Sequence, residues 1–200
     1  MAGCFFYPRL SDKSRLILLL VLLACVPQLA RAILGRVAVL NIFYNINVGI
    51  ELVILYFFFN NSYSTPRKEQ IFKVSGIFCM LFGLISILYW GIEDKFLTEW
   101  LCLNNLVYTS WILLSVLDIY ENDDRLLHTK RSYLFFLLGL FLYTSCTMLI
   151  FGLWHYIMAT RDSLLKNLWI IHDVFNTIMY LVFFIGFYHD YRGQKKSVPL

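Results

Sequence analysis

NLWIIHDVFNTIMYLVFFIGF, residues 167–187, is almost wholly apolar apart from His172, Asp173, Asn176 and their immediate neighbours. About 20 apolar residues are enough for a helix to cross the roughly 30 Å of hydrocarbon in a bilayer. The stretch lacks the strict alternation of a barrel strand. It therefore reads as a transmembrane helix that carries an imidazole, a carboxylate and an amide into the membrane. Those three groups are costly there, and intramembrane ionisable residues mark functional positions by default.

Working outward from this run, five more of similar length follow the same pattern. The six predicted helices lie near 16–34, 38–59, 72–91, 98–119, 133–156 and 168–188. The chain has 200 residues, of which 60% are hydrophobic, 18% aromatic and only 15% charged. Its mean hydropathy is +0.67. Soluble domains have roughly 45–50% apolar residues and about 25% charged ones, so an ordinary globular domain is excluded. The expected fold class is all-α, a polytopic transmembrane bundle of six helices that forms a single transmembrane domain over 1–200. The connecting loops leave no room for a soluble domain.

Orientation follows from the distribution of positive charge. One side holds Arg9, Lys13, Arg15, Arg67, Lys68, Lys73, Arg125, Lys130, Arg131, Arg192, Lys195 and Lys196, and the other Arg31, Arg36, Lys95, Arg161 and Lys166. An excess of Lys and Arg in short loops marks the cytoplasmic side, so both termini are expected in the cytoplasm of a multi-pass inner-membrane protein. An alternative stays open at the first run. Leu29-Ala30-Arg31-Ala32 ends in an Ala-x-Ala pattern that resembles a signal-peptidase site, and cleavage there would leave five helices.

The polar residues fall in stripes. Asp173, Asn176 and Tyr180 share the spacing i, i+3, i+7, with His172 stacked over Asn176 at i+4. Tyr44, Asn47 and Glu51 repeat the spacing on the second helix. The fourth helix offers Asn104, Tyr108 and Trp111, with Asn105 alongside. Helices 2, 4 and 6 start on the extracytoplasmic side, so these groups lie in the outer part of the membrane, as does His155 on helix 5. The inner halves are mostly Leu, Ile, Phe and Val, apart from Asp118. A pocket is expected that opens outward, is sealed below by apolar side chains, and is lined by Glu51, Asn47, Asn104, Asn105, Tyr108, His155, His172, Asp173, Asn176 and Tyr180. Small-molecule ligands of unknown identity are the expected occupants. Ser75, Cys79 and Gly83 form a small-residue stripe suited to a close helix contact.

No catalytic residue is assigned, because no metalloprotease helix motif, nucleotide loop, nucleophile elbow or Cys-x-x-Cys occurs. The five cysteines form no disulfide framework or metal knuckle, so no metal site is expected, and cofactors are unknown. The basic residues form no stripe interleaved with aromatics, which argues against nucleic acid as a partner. The partner that the composition does require is the lipid bilayer.

SYLFFLLGLFLYTSCTMLIFGLWHYI, 132–157, followed by LWIIHDVFNTIMYLVFFIGF, 168–187, resembles small six-helix inner-membrane proteins, and membrane modules of sensor kinases, of Bacteroidetes. The resemblance covers about a third of the chain as a texture of Phe, Gly, Trp and Asn positions. It implies a sensory or signalling module. Because this chain has no kinase portion, it implies as well a cytoplasmic or membrane partner. The second function class that fits is a small transporter or proton-coupled carrier, with Glu51 and Asp173 exchanging protons.

Overall fold

The computed structural model describes residues 10–34, 37–92, 97–122, 131–153 and 164–196, with side chains excepted at 28, 30–32, 34, 37–39, 164–169 and 194–196. The described residues form six helices and no strand: α1 (Asp12–Leu34), α2 (Val37–Phe59), α3 (Pro66–Trp90), α4 (Thr98–Glu121), α5 (Arg131–Gly152) and α6 (Leu164–Lys196). Backbone N–H and C=O groups have no water to bond in hydrocarbon, and a helix satisfies them internally. Among the described residues, five helices are long and apolar enough to cross a membrane, at Leu40–Phe59, Pro66–Trp90, Thr98–Glu121, Arg131–Gly152 and Ile170–Gly193. The chain is therefore an integral, multi-pass membrane protein.

The surface agrees with lipid as its solvent. Leu84, Ile85 and Leu88 on α3, and Val174, Leu181 and Phe184 on α6, all point outward. In water such a belt would be an aggregation surface.

Two helices extend well past their apolar runs. α3 begins at Pro66 because proline at the first helical position lacks only an N–H that would be unpaired anyway. Its polar first turns are invisible to a hydropathy reading. α6 has 33 residues, roughly 50 Å at 1.5 Å per residue, so it projects beyond a single crossing.

Lipid tails are as apolar as leucine, so helix association in a membrane depends on close packing. The most extensive contact is α5 on α6, followed by α4 on α5 and α1 on α2. Aromatic rings seated on glycines bring the partners together. Phe136 of α5 lies over Gly186 of α6, and Phe183 of α6 lies over Gly139 of α5. A Cβ at Gly186 or Gly139 would come within 2.7 or 2.6 Å of the facing ring. α3 rests mainly on α4 by the same device. Trp100 covers Gly83 and donates from Nε1 to the Cys79 carbonyl at 3.1 Å. Trp111 donates to Ser75 Oγ at 2.8 Å and lies 3.5 Å from the Cβ position of Gly76, which the Tyr56 ring of α2 approaches to 3.1 Å. The small-residue stripe expected on α3 is thus the seat of two tryptophans, with Gly76 added to it.

Each end of the bundle is tied by a buried polar side chain. At the end where α1 begins and α6 finishes, Asp190 accepts from the Ser11 N–H at 2.7 Å. There too the fully buried Asp118 of α4 holds the α2–α3 loop, accepting from the Ser64 N–H at 3.1 and 3.2 Å and from the Ser64 hydroxyl. Lys68 bridges Asp118 and Glu121 at 3.2 and 2.5 Å. In that loop Tyr63 donates to the Trp111 carbonyl at 3.2 Å, and burial pushes its hydroxyl well above the usual tyrosine range, so it stays a neutral donor. At the opposite end Asn45 of α2 braces the α3–α4 loop, donating to the Ile92 carbonyl and accepting from the Leu97 N–H, both at 3.0 Å. Gly91, with φ of 76°, ends α3 there.

Between these ends lies a layer of fully buried aromatic side chains: Phe58, Phe59, Phe72, Trp111, Phe136 and Phe183. Phe72 meets Trp111 at a centroid distance of 4.7 Å, and Phe59 meets it at 5.8 Å. This layer occupies the half of the bundle nearer the chain termini.

Candidate ligand-binding site

Above the aromatic layer, four helices contribute polar side chains to one region. α2 brings Asn47 and Glu51, one turn apart on the same face. The Glu51 side chain belongs to a residue only 7% exposed, and among the described residues it makes no hydrogen bond or ion pair. α4 brings Asn104 and Tyr108, both buried, on the face that continues into Trp111. α5 brings Tyr143 and the buried Thr147. α6 brings His172, Asn176 and Tyr180.

Glu51 is the hub of this set. The hydroxyls of Tyr108, Tyr143 and Tyr180, each from a different helix, lie within electrostatic reach of its carboxyl group. Tyr143 also meets His172 edge-on, with ring centroids 6.3 Å apart, and Phe151 flanks the imidazole at 6.4 Å. His172 Nδ1 lies 2.9 Å from Asn176 Nδ2. With the amide nitrogen donating, Nδ1 is the acceptor and the ring proton sits on Nε2. A chain of groups therefore runs from Glu51 through Tyr143 and His172 to Asn176.

The hydrogen-bond accounting includes this region. Asn47 Oδ1, both amide atoms of Asn104, Asn105 Oδ1, the Tyr108 hydroxyl and Thr147 Oγ1 are buried without a hydrogen bond of ordinary geometry. Asn104 and Tyr108 stack one turn apart and lie close enough to interact, yet do not satisfy each other. An unpaired buried polar atom costs about 1–3 kcal/mol, and folded proteins hold few of them. Those of Asn47, Asn104, Tyr108 and Thr147 lie on the three helices α2, α4 and α5 that carry the cluster, and Ser115 Oγ of α4 is a further one toward the terminal end.

Of the residues expected to line a pocket, the structure gathers Glu51, Asn47, Asn104, Tyr108, His172, Asn176 and Tyr180. Asn105 serves α4 itself, donating to the Leu101 carbonyl at 2.8 Å. Its own carbonyl accepts from Thr109, whose hydroxyl reaches Thr144 at 3.0 Å. Asp173 stands apart from the cluster: its side chain is 79% exposed and lies 3.9 Å from His172. The reason is rotational. The inward face of α6 is set by His172, Asn176, Met179 and Phe183 at i, i+4, i+7, i+11, which leaves Asp173 about 100° away and Tyr180, 40% exposed, at the edge of that face. His155 lies outside the described residues.

Tyr143 was the residue the sequence reading missed. Its signal is weak but present: Tyr143, Thr147 and Ile150 share i, i+4, i+7 on α5, and the last two are buried. Among the described residues no three His, Cys, Asp or Glu side chains come together as a metal site would require. No family model, no curated protein and no solved structure matches this chain.

Proposed function

We propose that this chain is a sensory module of the inner membrane, with six crossings and both termini in the cytoplasm. A small polar ligand would enter the cluster around Glu51 from the extracytoplasmic side and shift the packing of α5 and α6. A cytoplasmic or membrane partner would read the change at the end that carries the termini. Such a ligand can only shift the equilibrium by its difference in affinity for two helix arrangements.

One observation carries this reading. The polar cluster ends on the aromatic layer of Phe59, Phe72, Trp111 and Phe183, while α6, which holds His172 and Asn176, continues unbroken past that layer. The arrangement supports transmission of a change along a helix, and among the described residues the layer itself is built mainly of apolar rings. The alternative, a small carrier, needs polar groups on the terminal side of the layer. Asp118 is the obvious candidate, and it is committed to Ser64 and Lys68.

The test is hydrogen–deuterium exchange on the full chain in lipid nanodiscs, comparing wild type with Glu51→Gln. The variant keeps the shape of the side chain and removes its ionisable carboxyl group. A sensory module should show altered protection at the Glu51 level and also across the layer, in 60–65 and 186–193, by about 3-fold or more. Changes confined to α2 and its immediate neighbours would sink the proposal. A carrier would instead reveal itself in proteoliposomes, where wild type would collapse a proton gradient when substrate is supplied and Glu51→Gln would not.

A further inference from the structure

The unpaired atoms around Glu51 are unequal in kind. Acceptors dominate: the Asn47 and Asn104 side-chain oxygens and the carboxyl group itself, against one orphan amide nitrogen on Asn104 and the two-way hydroxyls of Tyr108 and Thr147. The site thus has a carboxyl group, spare acceptors and no cationic side chain among its described members. We propose that it binds a protonated amine, an alkylammonium ion whose N–H groups donate to Glu51, Asn47 and Asn104 beside the Tyr108 ring. This rests on the reading of the cluster as a ligand site and names the ligand class.

The neighbours fit that class. Tyr143, and Tyr180 at the edge of the bundle, bring their hydroxyls within electrostatic reach of Glu51, and tyrosine faces attract ammonium ions. An ammonium ion would also resolve the cost of a carboxylate held in a membrane helix without a counter-ion. An anion or a pure acceptor would add to it. A phosphate or carboxylate ligand would meet Glu51 with like charge and leave the orphan acceptors unpaired.

The test is thermal unfolding of the full chain in nanodiscs, with methylammonium chloride as the probe. Sodium chloride and tetramethylammonium chloride at the same concentration are the controls, since the first has no N–H and no alkyl group and the second has no N–H. Methylammonium alone should raise the midpoint by about 5 °C near 100-fold its Kd. The shift should vanish in Glu51→Gln and shrink at least 5-fold in Asn104→Ala, which serves if Glu51→Gln does not fold by circular dichroism. No shift, an equal shift with either control, or a full shift in the variants overturns the assignment. If methylammonium fails while Glu51→Gln still alters exchange across the aromatic layer, only the ligand class falls. If it binds and no exchange change reaches 186–193, the sensory reading falls and the amine site stands.

Discussion

Replacing Asp118 with alanine is expected to destabilise the protein by about 3 kcal/mol, the largest effect of any single polar substitution outside the Glu51 cluster. Breaking a buried ion pair by removing one partner costs about 3–5 kcal/mol because the remaining groups lose their compensation. Asp118 is fully buried, and it alone receives the Ser64 N–H, at 3.1 and 3.2 Å, in addition to the Lys68 ammonium. Lys68 keeps Glu121 in the variant, which places the loss at the lower end of the range. Asp118→Asn retains an acceptor for Ser64 and should lose about half as much. Thermal unfolding of the three proteins in detergent micelles checks the order wild type, Asn, Ala. Equal midpoints for all three would mean that Ser64 and Lys68 do not hold the α2–α3 loop through this carboxylate.

A comparable loss, of about 3–5 kcal/mol, is expected for Gly83→Leu. The Trp100 indole occupies the space where a Cβ would stand, so even alanine forces a displacement. The indole cannot move freely, because its Nε1 donates to the Cys79 carbonyl and its far edge lies against Gly49 on α2. Overpacking a well-filled contact costs about 1–3 kcal/mol, and a buried donor left without its acceptor adds about 1–3 kcal/mol. α3 touches the bundle chiefly through α4, so it has little else to hold it. The expected result is a lower unfolding midpoint together with a red-shifted tryptophan emission as Trp100 moves toward a wetter environment. Gly152→Leu, where no atom lies within 4 Å of an added Cβ, is the matched control and should change neither.

The fold class was legible because hydrocarbon imposes one requirement on every residue of a crossing. Runs such as 133–156 satisfy it without reference to any partner helix. The same physics explains what was missed. Helix periodicity gives faces but not which face turns inward, and on α6 two overlapping stripes compete. Asp173, Asn176 and Tyr180 make the more polar one, yet packing against α5 selects the face of His172, with Tyr143 as its neighbour. The i, i+4 alignment of His172 over Asn176, in contrast, was readable directly and holds at 2.9 Å. Asp118 could be placed at one end of the bundle from sequence. Its attachment to Ser64 depends on a loop returning from α2, a contact 54 residues away along the chain. Glu51 and Asn104 were legible as polar residues on helices that run in the same direction, about two-thirds of the way along α2 and one-quarter of the way along α4.

Directional access to the Glu51 cluster is the central claim, and thiol labelling from each side of the membrane tests it most directly. Single cysteines at Asn47, Asn104 and Asn176 are introduced into a chain whose native cysteines are replaced by alanine and whose helix content is checked. Right-side-out and inverted vesicles are then treated with a small membrane-impermeant thiol reagent. The account predicts labelling of all three positions in right-side-out vesicles and at least 10-fold slower labelling in inverted ones, because the aromatic layer closes the terminal side. Labelling that is faster in inverted vesicles, or absent from both, would contradict an outward-facing polar site.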